Sequence, residues 1–172
     1  MRGFVQSDLG ARLASAAALR REAEFAFPLG LDTGEVTVNG FVDAVAREGD
    51  GALVVDYKTD RLEPAEDPEA RVARDYRTQR LVYALAALRD GASSVEVVHC
   101  FLERPGEPAS ARFAATDAPA LEAELRGLAQ GVAAGRFDPS PRPNRRLCLE
   151  CPARRSLCSW DEPMTLRDPD DA

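Results

Sequence analysis

The chain has 172 residues, 45% of them hydrophobic, which is enough to bury the core of one domain. No apolar run approaches the roughly 20 residues that cross a bilayer, and the N-terminus does not resemble a signal peptide, so we expect a cytoplasmic protein with no membrane partner. The formal net charge of -7 argues against general attraction to a polyanion, so contact with nucleic acid would need local features.

The predicted elements begin with a helix and a strand. Apolar residues at helical spacing predict a helix over residues 7–20, and strict alternation predicts a half-buried strand over 22–29 that Pro28 ends. Six further elements follow in chain order: strands over 35–45 and 52–57, a helix over 68–90, strands over 95–102 and 109–113, and a helix over 121–132.

This order predicts an α/β fold, with a mixed central sheet flanked by helices. Residues 138–143, Asp-Pro-Ser-Pro-Arg-Pro, cannot form regular structure and lead into a cysteine cluster. We therefore predict two parts, a core over residues 1–137 and a Pro/Arg-rich, Cys-containing C-terminal extension over 138–172.

Two carboxylates and a lysine form the first candidate site. Asp56 and Lys58 are two residues apart on a predicted strand, so their side chains share one face, and the turn at residues 46–51 brings Asp43 of the preceding strand alongside. Converging carboxylates repel each other unless a cation neutralises them, and a hard divalent ion such as Mg²⁺ prefers oxygen ligands. The alternative is a solvated strand edge with an ordinary ion pair.

A polar and aromatic helix face is the second candidate. Tyr76, Gln79 and Tyr83 share one face of the predicted helix, while the opposite stripe of leucines explains the packing. Core packing does not require a Gln between two tyrosines. For Tyr83 alone, a buried ring with a satisfied hydroxyl is the alternative.

Three segments in this order resemble the PD-(D/E)xK nucleases of the RecB-like branch, found at the C-termini of UvrD-type helicase-nucleases such as RecB and AddA. They are Gly40-Phe41-Val42-Asp43, Val54-Val55-Asp56-Tyr57-Lys58-Thr59 and Tyr76-Arg77-Thr78-Gln79-Arg80-Leu81-Val82-Tyr83-Ala84. Arg21-Glu22-Ala23-Glu24-Phe25 also looks like the family's upstream strand. The resemblance covers roughly residues 5–160 and implies a restriction-endonuclease-like core.

By this resemblance, the site residues carry over onto the matching positions. Asp43 and Asp56 become ligands of Mg²⁺ or Mn²⁺, Lys58 the catalytic lysine, and Gln79 and Tyr83 the accessory residues. Glu22 is a further candidate metal ligand, with a plain surface carboxylate as the alternative.

Two positions depart from the family pattern. Ala44 follows Asp43 where members often have Arg, and the only histidine, His99, does not lie upstream of Asp43 where many members place one. The core triad is nevertheless complete, which argues against a degenerate copy.

The resemblance implies a nuclease, in particular an exonuclease, that hydrolyses phosphodiester bonds of single-stranded DNA or duplex ends during end processing and recombinational repair. The chain lacks the phosphate-binding motif of an ATPase, so we expect either the C-terminal domain of a helicase-nuclease, with the helicase in cis or as a partner subunit, or a stand-alone nuclease. The alternative is a weak or inactive nuclease-like module that binds DNA or acts as a scaffold in a helicase complex.

The C-terminal cysteines form a separate candidate site. Cys148, Cys151 and Cys158 have the spacing C-x2-C-x6-C, in which the first pair can chelate a metal. Cys100 is the candidate fourth ligand, although a buried thiol in its predicted strand is the commoner explanation. AddB-type relatives hold a [4Fe-4S] cluster through one upstream and three trailing cysteines, but no cysteine here precedes Asp43. A [4Fe-4S] cluster, zinc and reduced thiols stay open, as does a purely structural metal-cysteine module.

Overall fold

The computed structural model describes residues 2–171, so Met1 and Ala172, the end residues of the two predicted parts, lie outside it. The chain forms two compact units that divide between Gln130 and Gly131. The boundary near residue 138, inferred from composition, stays a prediction.

The first unit is built on a five-stranded sheet whose spatial order follows the chain. Neighbouring strands pair antiparallel except β3 and β4, which are parallel because the chain crosses over between them through two helices. Gly49, at a φ of 63°, allows the tight turn between β2 and β3. The strands are β1 (Leu19–Leu31), β2 (Gly34–Glu48), β3 (Gly51–Lys58), β4 (Ser94–Phe101) and β5 (Ala109–Ala114).

Helices cover both faces of this sheet. Leu53 of β3 belongs to the core cluster that contains Leu9 and Leu13, whereas the next residue, Val54, belongs to the cluster that contains Ala84. Successive strand residues point to opposite faces, so the two clusters lie on opposite sides of the sheet. The helices are α1 (Arg2–Val5), α2 (Asp8–Ser15), α3 (Pro68–Asp75), α4 (Arg77–Arg89) and α5 (Ala118–Ala133).

This architecture confirms the predicted α/β class with a mixed central sheet flanked by helices. Two predicted boundaries were wrong. The first helix ends at Ser15 rather than residue 20, because the chain from Leu19 already pairs with β2. The first strand does not end at Pro28 but continues to Leu31. Proline is tolerated there because β1 is an edge strand, so a missing N–H costs no ladder bond on its open side.

The predicted helix over 68–90 is two helices. Asp67 caps α3 and Pro68 begins it, as predicted, but the backbone at Tyr76 (φ -125°, ψ 10°) leaves the helical conformation between α3 and α4. The Tyr76 hydroxyl donates to Asp60 Oδ2 at 2.6 Å, a contact to the loop after β3 that anchors this junction. Tyr76 therefore lies at the junction of two helices, and the hydrophobic periodicity of the sequence does not reveal this break.

The second unit contains two short helices, α6 (Arg145–Cys148) and α7 (Glu162–Leu166), with side-chain caps at Asn144 and Asp161. Arg167 Nε donates to the carbonyl oxygen of Pro143 at 2.6 Å, which ties the end of α7 to the start of α6. Within residues 2–171, no helix is both long and apolar enough to span a membrane.

Candidate active site

Two carboxylates meet where β2 and β3 separate. The pairing of these strands ends at Ala44 and Val55, so Asp43 and Asp56 are the next residues on the two strands. Asp43 Oδ2 accepts a hydrogen bond from the backbone N–H of Tyr57 at 2.7 Å. The side chain thus satisfies a donor at the end of the ladder and is held beside β3.

Asp56 is the buried member of this pair, with only 4% of its surface exposed. Its Oδ2 lies 2.7 Å from Lys58 Nζ, and its Oδ1 accepts from the Tyr83 hydroxyl at 3.1 Å. Burial raises the pKa of Asp56, the neighbouring charge of Asp43 raises it further, and the contacts with Lys58 and Tyr83 oppose the rise. Asp43 is therefore close enough to Asp56 for the two carboxylates to repel.

Lys58 is enclosed on three sides. Besides Asp56, its Nζ lies 2.7 Å from Gln79 Oε1 and 3.9 Å from the centre of the Tyr76 ring. It is also the only lysine in a chain whose lysines and arginines number 22. A compact ammonium can donate in several directions, which a planar guanidinium cannot reproduce in this enclosure.

Gln79 and Tyr83 of α4 link the lysine back to the aspartate. Gln79 Nε2 donates to the Tyr83 hydroxyl at 3.0 Å, and this hydroxyl lies 3.1 Å from both Asp56 Oδ1 and the carbonyl oxygen of Phe41. Burial raises the pKa of Tyr83, and the charge of Asp56 raises it further, so the hydroxyl remains a donor. The contacts close a ring from Lys58 through Gln79 and Tyr83 to Asp56.

The sequence did not identify His99 as part of this neighbourhood. Its ring stacks on Tyr76 with centroids 5.9 Å apart and an interplanar angle of 27°, and it is completely buried. Neither ring nitrogen has a hydrogen-bond partner among the described residues. Burial first, and then the charges of Arg80 and Lys58, lower the pKa of His99 to about 3, so the ring is neutral. No local signal revealed it, because His99 reaches the site through the parallel pairing of β3 with β4.

The donor set suits a divalent cation. Asp43 and Asp56 offer the carboxylate oxygens that Mg²⁺ prefers, and a cation would offset the repulsion from Asp43, which adds to the rise that burial causes in the pKa of Asp56. Among the side chains that the structure describes, no group of three or more His, Cys, Asp and Glu residues is arranged to hold a metal ion. Water and substrate phosphate would therefore complete the coordination of an ion on this pair, as is usual for Mg²⁺.

Glu22 lies on β1, the strand next to the one that carries Asp43. The register pairs Arg21 with Ala44 and Ala23 with Val42, which leaves Glu22 opposite Asp43. Glu22 is exposed and has a φ of 47°, the only positive φ of a non-glycine residue in the described chain. Such a conformation costs about 1–2 kcal/mol in an L-residue, and strain of this kind concentrates at functional sites.

The C-terminal cysteines do not gather into a metal site within the described residues. Cys148 ends α6 and is half-buried, Cys151 is exposed, Cys158 is half-buried, and all are free thiols. Cys100 is completely buried in the core cluster that contains Leu9 and Leu13, as expected of a small hydrophobic residue. Burial raises the pKa of its thiol to about 11. A [4Fe-4S] cluster or zinc therefore gains no support from this geometry and stays a prediction.

The sequence of the chain also matches a known family. The model of the PD-(D/E)XK nuclease superfamily matches residues 3–159. The chain belongs to this superfamily. The resemblance inferred from the motifs is thus confirmed, and so is the restriction-endonuclease-like α/β core that it implies.

Curated relatives are ATP-dependent helicase/nuclease subunits A from several bacteria. The protein of Desulforudis audaxviator is 38% identical over an alignment of 94 residues, and the match covers 49% of this chain and 8% of that protein. That of Anoxybacillus flavithermus is 32% identical over 80 residues, 46% of this chain and 7% of its own length. The matched region is therefore a small part of much longer proteins.

Among solved structures, the crystal structure of SSO0001 has a similar fold. The TM-score is 0.56 at 18% sequence identity, and the match covers 88% of this chain and 65% of that one. At this identity the likeness supports the fold alone.

The buried, neutral His99 predicts acid sensitivity. Its folded pKa of about 3 lies below the unfolded value of 6.5, so below pH 6.5 the unfolded chain binds a proton that the folded chain excludes. The free energy of unfolding should thus fall by about 1–2 kcal/mol between pH 7 and pH 5. Urea unfolding of the wild type and of His99→Phe, measured across this range, isolates the effect, because carboxylates titrate in both proteins. Parallel pH profiles of the two would contradict the prediction.

The backbone at Glu22 predicts an unusual response to glycine. Glu22→Gly removes a strained side chain at φ 47° and should raise the free energy of unfolding by about 1 kcal/mol, whereas glycine normally weakens a strand. Glu22→Gln keeps the strain and should leave stability unchanged. Urea denaturation at neutral pH measures both, and a loss of stability in Glu22→Gly would show that the backbone is not strained there.

Proposed function

We propose that this chain is a metal-dependent DNA nuclease domain that hydrolyses phosphodiester bonds as an exonuclease. The observation that carries the proposal is the juxtaposition of Asp43 and Asp56 with a lysine held 2.7 Å from Asp56. Membership of the PD-(D/E)XK nuclease superfamily supports it.

In this proposal Asp43 and Asp56 hold Mg²⁺ or Mn²⁺ next to the scissile phosphate. A divalent ion there supplies Lewis-acid activation of the phosphate and an acidified water. Lys58 orients the attacking water or neutralises charge that develops on a phosphate oxygen, a role that requires its ammonium to stay fixed. Glu22, opposite Asp43, is a further acidic group for the metal or its waters.

Gln79 and Tyr83 fix the reacting groups from α4. Gln79 accepts from Lys58 and donates to Tyr83, which in turn donates to Asp56, so one continuous chain of hydrogen bonds orients both the lysine and the carboxylate. Groups that orient ligands in this way typically change activity 10- to 100-fold when they are lost.

The proposed substrate is DNA, as single strands or duplex ends, processed in repair and recombination in the cytoplasm. The relatives' names describe ATP-dependent helicase/nuclease subunits, and this chain spans only 7–8% of their length. A helicase in cis or as a partner subunit would supply unwound strands. With a net charge of -7, this chain would also depend on such a neighbour for much of the electrostatic attraction to DNA.

Changes at Asp56 and Lys58 should slow cleavage strongly. In Asp56→Asn the amide keeps the shape of the side chain but weakens metal binding. In Lys58→Arg the charge remains but the compact ammonium is lost. Each variant should lower kcat by a factor on the order of 1000, measured as Mg²⁺-dependent degradation of end-labelled single-stranded DNA. Asp50→Asn, in the exposed turn before β3, is the matched control and should retain wild-type activity.

Thermal unfolding of each variant separates lost chemistry from lost folding. A folded Asp56→Asn protein that cleaves DNA at the wild-type rate would refute the catalytic assignment. It would favour the alternative, a nuclease-like module that only binds DNA or supports a helicase.

The hydrogen-bond chain predicts coupling between Gln79 and Tyr83. Gln79→Ala and Tyr83→Phe should each lower kcat about 10- to 100-fold, and the double variant should lose much less than the product, because either change breaks the same chain. A double-mutant cycle on kcat with single-stranded DNA measures the coupling. Multiplicative losses would mean that the two side chains act independently.

A further inference from the structure

Tyr76 contacts Lys58, yet the proposed reaction gives it no role. Its ring centre lies 3.9 Å from Lys58 Nζ, well within the range of about 6 Å over which a ring face attracts a cation. The ammonium also lies 2.7 Å from an oxygen of Asp56 and 2.7 Å from an oxygen of Gln79. Because an ammonium carries three N–H donors, these two oxygens do not use all of them. The ring is therefore a third partner of a different kind.

The Tyr76 ring is held in place by its own contacts. Its backbone N–H donates to the carbonyl oxygen of Val72 at 2.9 Å, and its carbonyl oxygen accepts from the backbone N–H of Arg80 at 2.9 Å. The hydroxyl donates to Asp60 Oδ2 at 2.6 Å, and the ring stacks on His99 with centroids 5.9 Å apart. Backbone, hydroxyl and ring face thus fix the position that the ring takes beside the ammonium.

The electronic state of the ring suits a contact with a cation. Burial first, and then the hydrogen bond to Asp60, raise the pKa of Tyr76 to about 12, so the ring is a neutral phenol. Donation of its hydroxyl to a carboxylate polarises the phenol and leaves the ring richer in electrons. The buried His99 ring is neutral, so it does not compete with Lys58 for the face of Tyr76.

A ring has an advantage over a third carboxylate as a partner of this lysine. Another carboxylate would add a negative charge next to Asp43 and Asp56, where it would repel a phosphate. The face of an aromatic ring attracts the cation through its quadrupole and carries no net charge. Tyr76 can therefore fix the ammonium without weakening the attraction of the site for DNA.

We propose that Tyr76 is a positioning residue of the nuclease reaction, whose ring face holds the Lys58 ammonium where it acts on the scissile phosphate or the attacking water. This inference rests on the proposed function. An interaction that supports a group acting in the transition state changes kcat and leaves KM unchanged when it is lost. A role in binding DNA would instead raise KM.

Fluorinated rings provide the first test, because each fluorine withdraws electrons from the ring face while the ring keeps nearly the same shape. Tyr76→Phe should lower kcat for end-labelled single-stranded DNA less than about fivefold, and Tyr76→Leu about 10- to 30-fold, the size of a cation–π contact withdrawn from water. Phenylalanines with one, two and three fluorines at position 76 should lower kcat stepwise between these two values, at unchanged KM.

The same series at Phe27 is the matched control. Arg89 Cζ lies 5.0 Å from the centre of this ring, so Phe27 also contacts a cation, but it belongs to the core cluster that contains Leu85 and Leu125. Fluorination there should leave kcat and KM unchanged. Thermal unfolding verifies the folding of every variant, and the fluorinated rings decide the matter if Tyr76→Leu fails to fold.

Fluorine NMR gives a second readout that does not depend on cleavage. The resonance of para-fluorophenylalanine at position 76 should move when Lys58→Met removes the ammonium from the ring face. The same label at position 27 should not move.

The outcomes separate the two proposals. If the wild type cleaves DNA but kcat is the same for all rings at position 76, or the fluorine resonance ignores Lys58→Met, the positioning role is overturned and the nuclease assignment survives. A rise in KM at constant kcat would also overturn it. If the wild type does not cleave DNA, the proposed function itself fails.

Discussion

The contact between Asp56 and Lys58 is the interaction around which the site is organised. Both side chains are largely withdrawn from water, with 6% and 11% of their surfaces exposed, and withdrawing two charges is expensive even when they lie 2.7 Å apart. The expense is reduced only if the remaining polar atoms also find partners. Gln79 supplies one to the lysine, and Tyr83 supplies one to the aspartate. The accessory residues are thus a physical requirement of burying this pair.

The sheet topology explains why such a pair can be buried here. β3 is a central strand, and at its carboxyl end Asp56 and Lys58 still pair with β4 after the pairing with β2 has ended. The parallel crossover brings α4 over this end and β4 beside it, which places Tyr83 above Asp56 and His99 next to it in the register. One topological feature, the crossover between β3 and β4, therefore provides both the shielding and the accessory side chains.

How far the sequence predicts this arrangement depends on the range of each contact. The two-residue spacing of Asp56 and Lys58 and the hairpin to Asp43 are local, and the three residues come together as strand geometry predicts. Gln79 and Tyr83 are about one helical turn apart, so the sequence also predicts that they are neighbours. Tyr76 was expected on the same helix face, yet it reaches Lys58 from a helix junction, because its hydroxyl bonds to Asp60. His99 could not be foreseen, since it enters through a strand pairing that connects distant segments.

The structure also gives a reason for alanine at position 44, where the family pattern often has arginine. Ala44 is 2% exposed and belongs to the core cluster with Leu9 and Leu13, so the position has no room for an arginine side chain.

The solitary lysine has a practical consequence. Every other basic side chain that contributes to the count of 22 is an arginine, so Lys58 carries the only side-chain primary amine of the protein. Amine-selective reagents can therefore react with only two groups of the chain, the Lys58 side chain and the α-amino group. Methylation of the Lys58 amine with a carbon-13 label would give one NMR resonance at the centre of the site. This label would report, without any mutation, on a metal ion or a phosphate that binds next to Lys58.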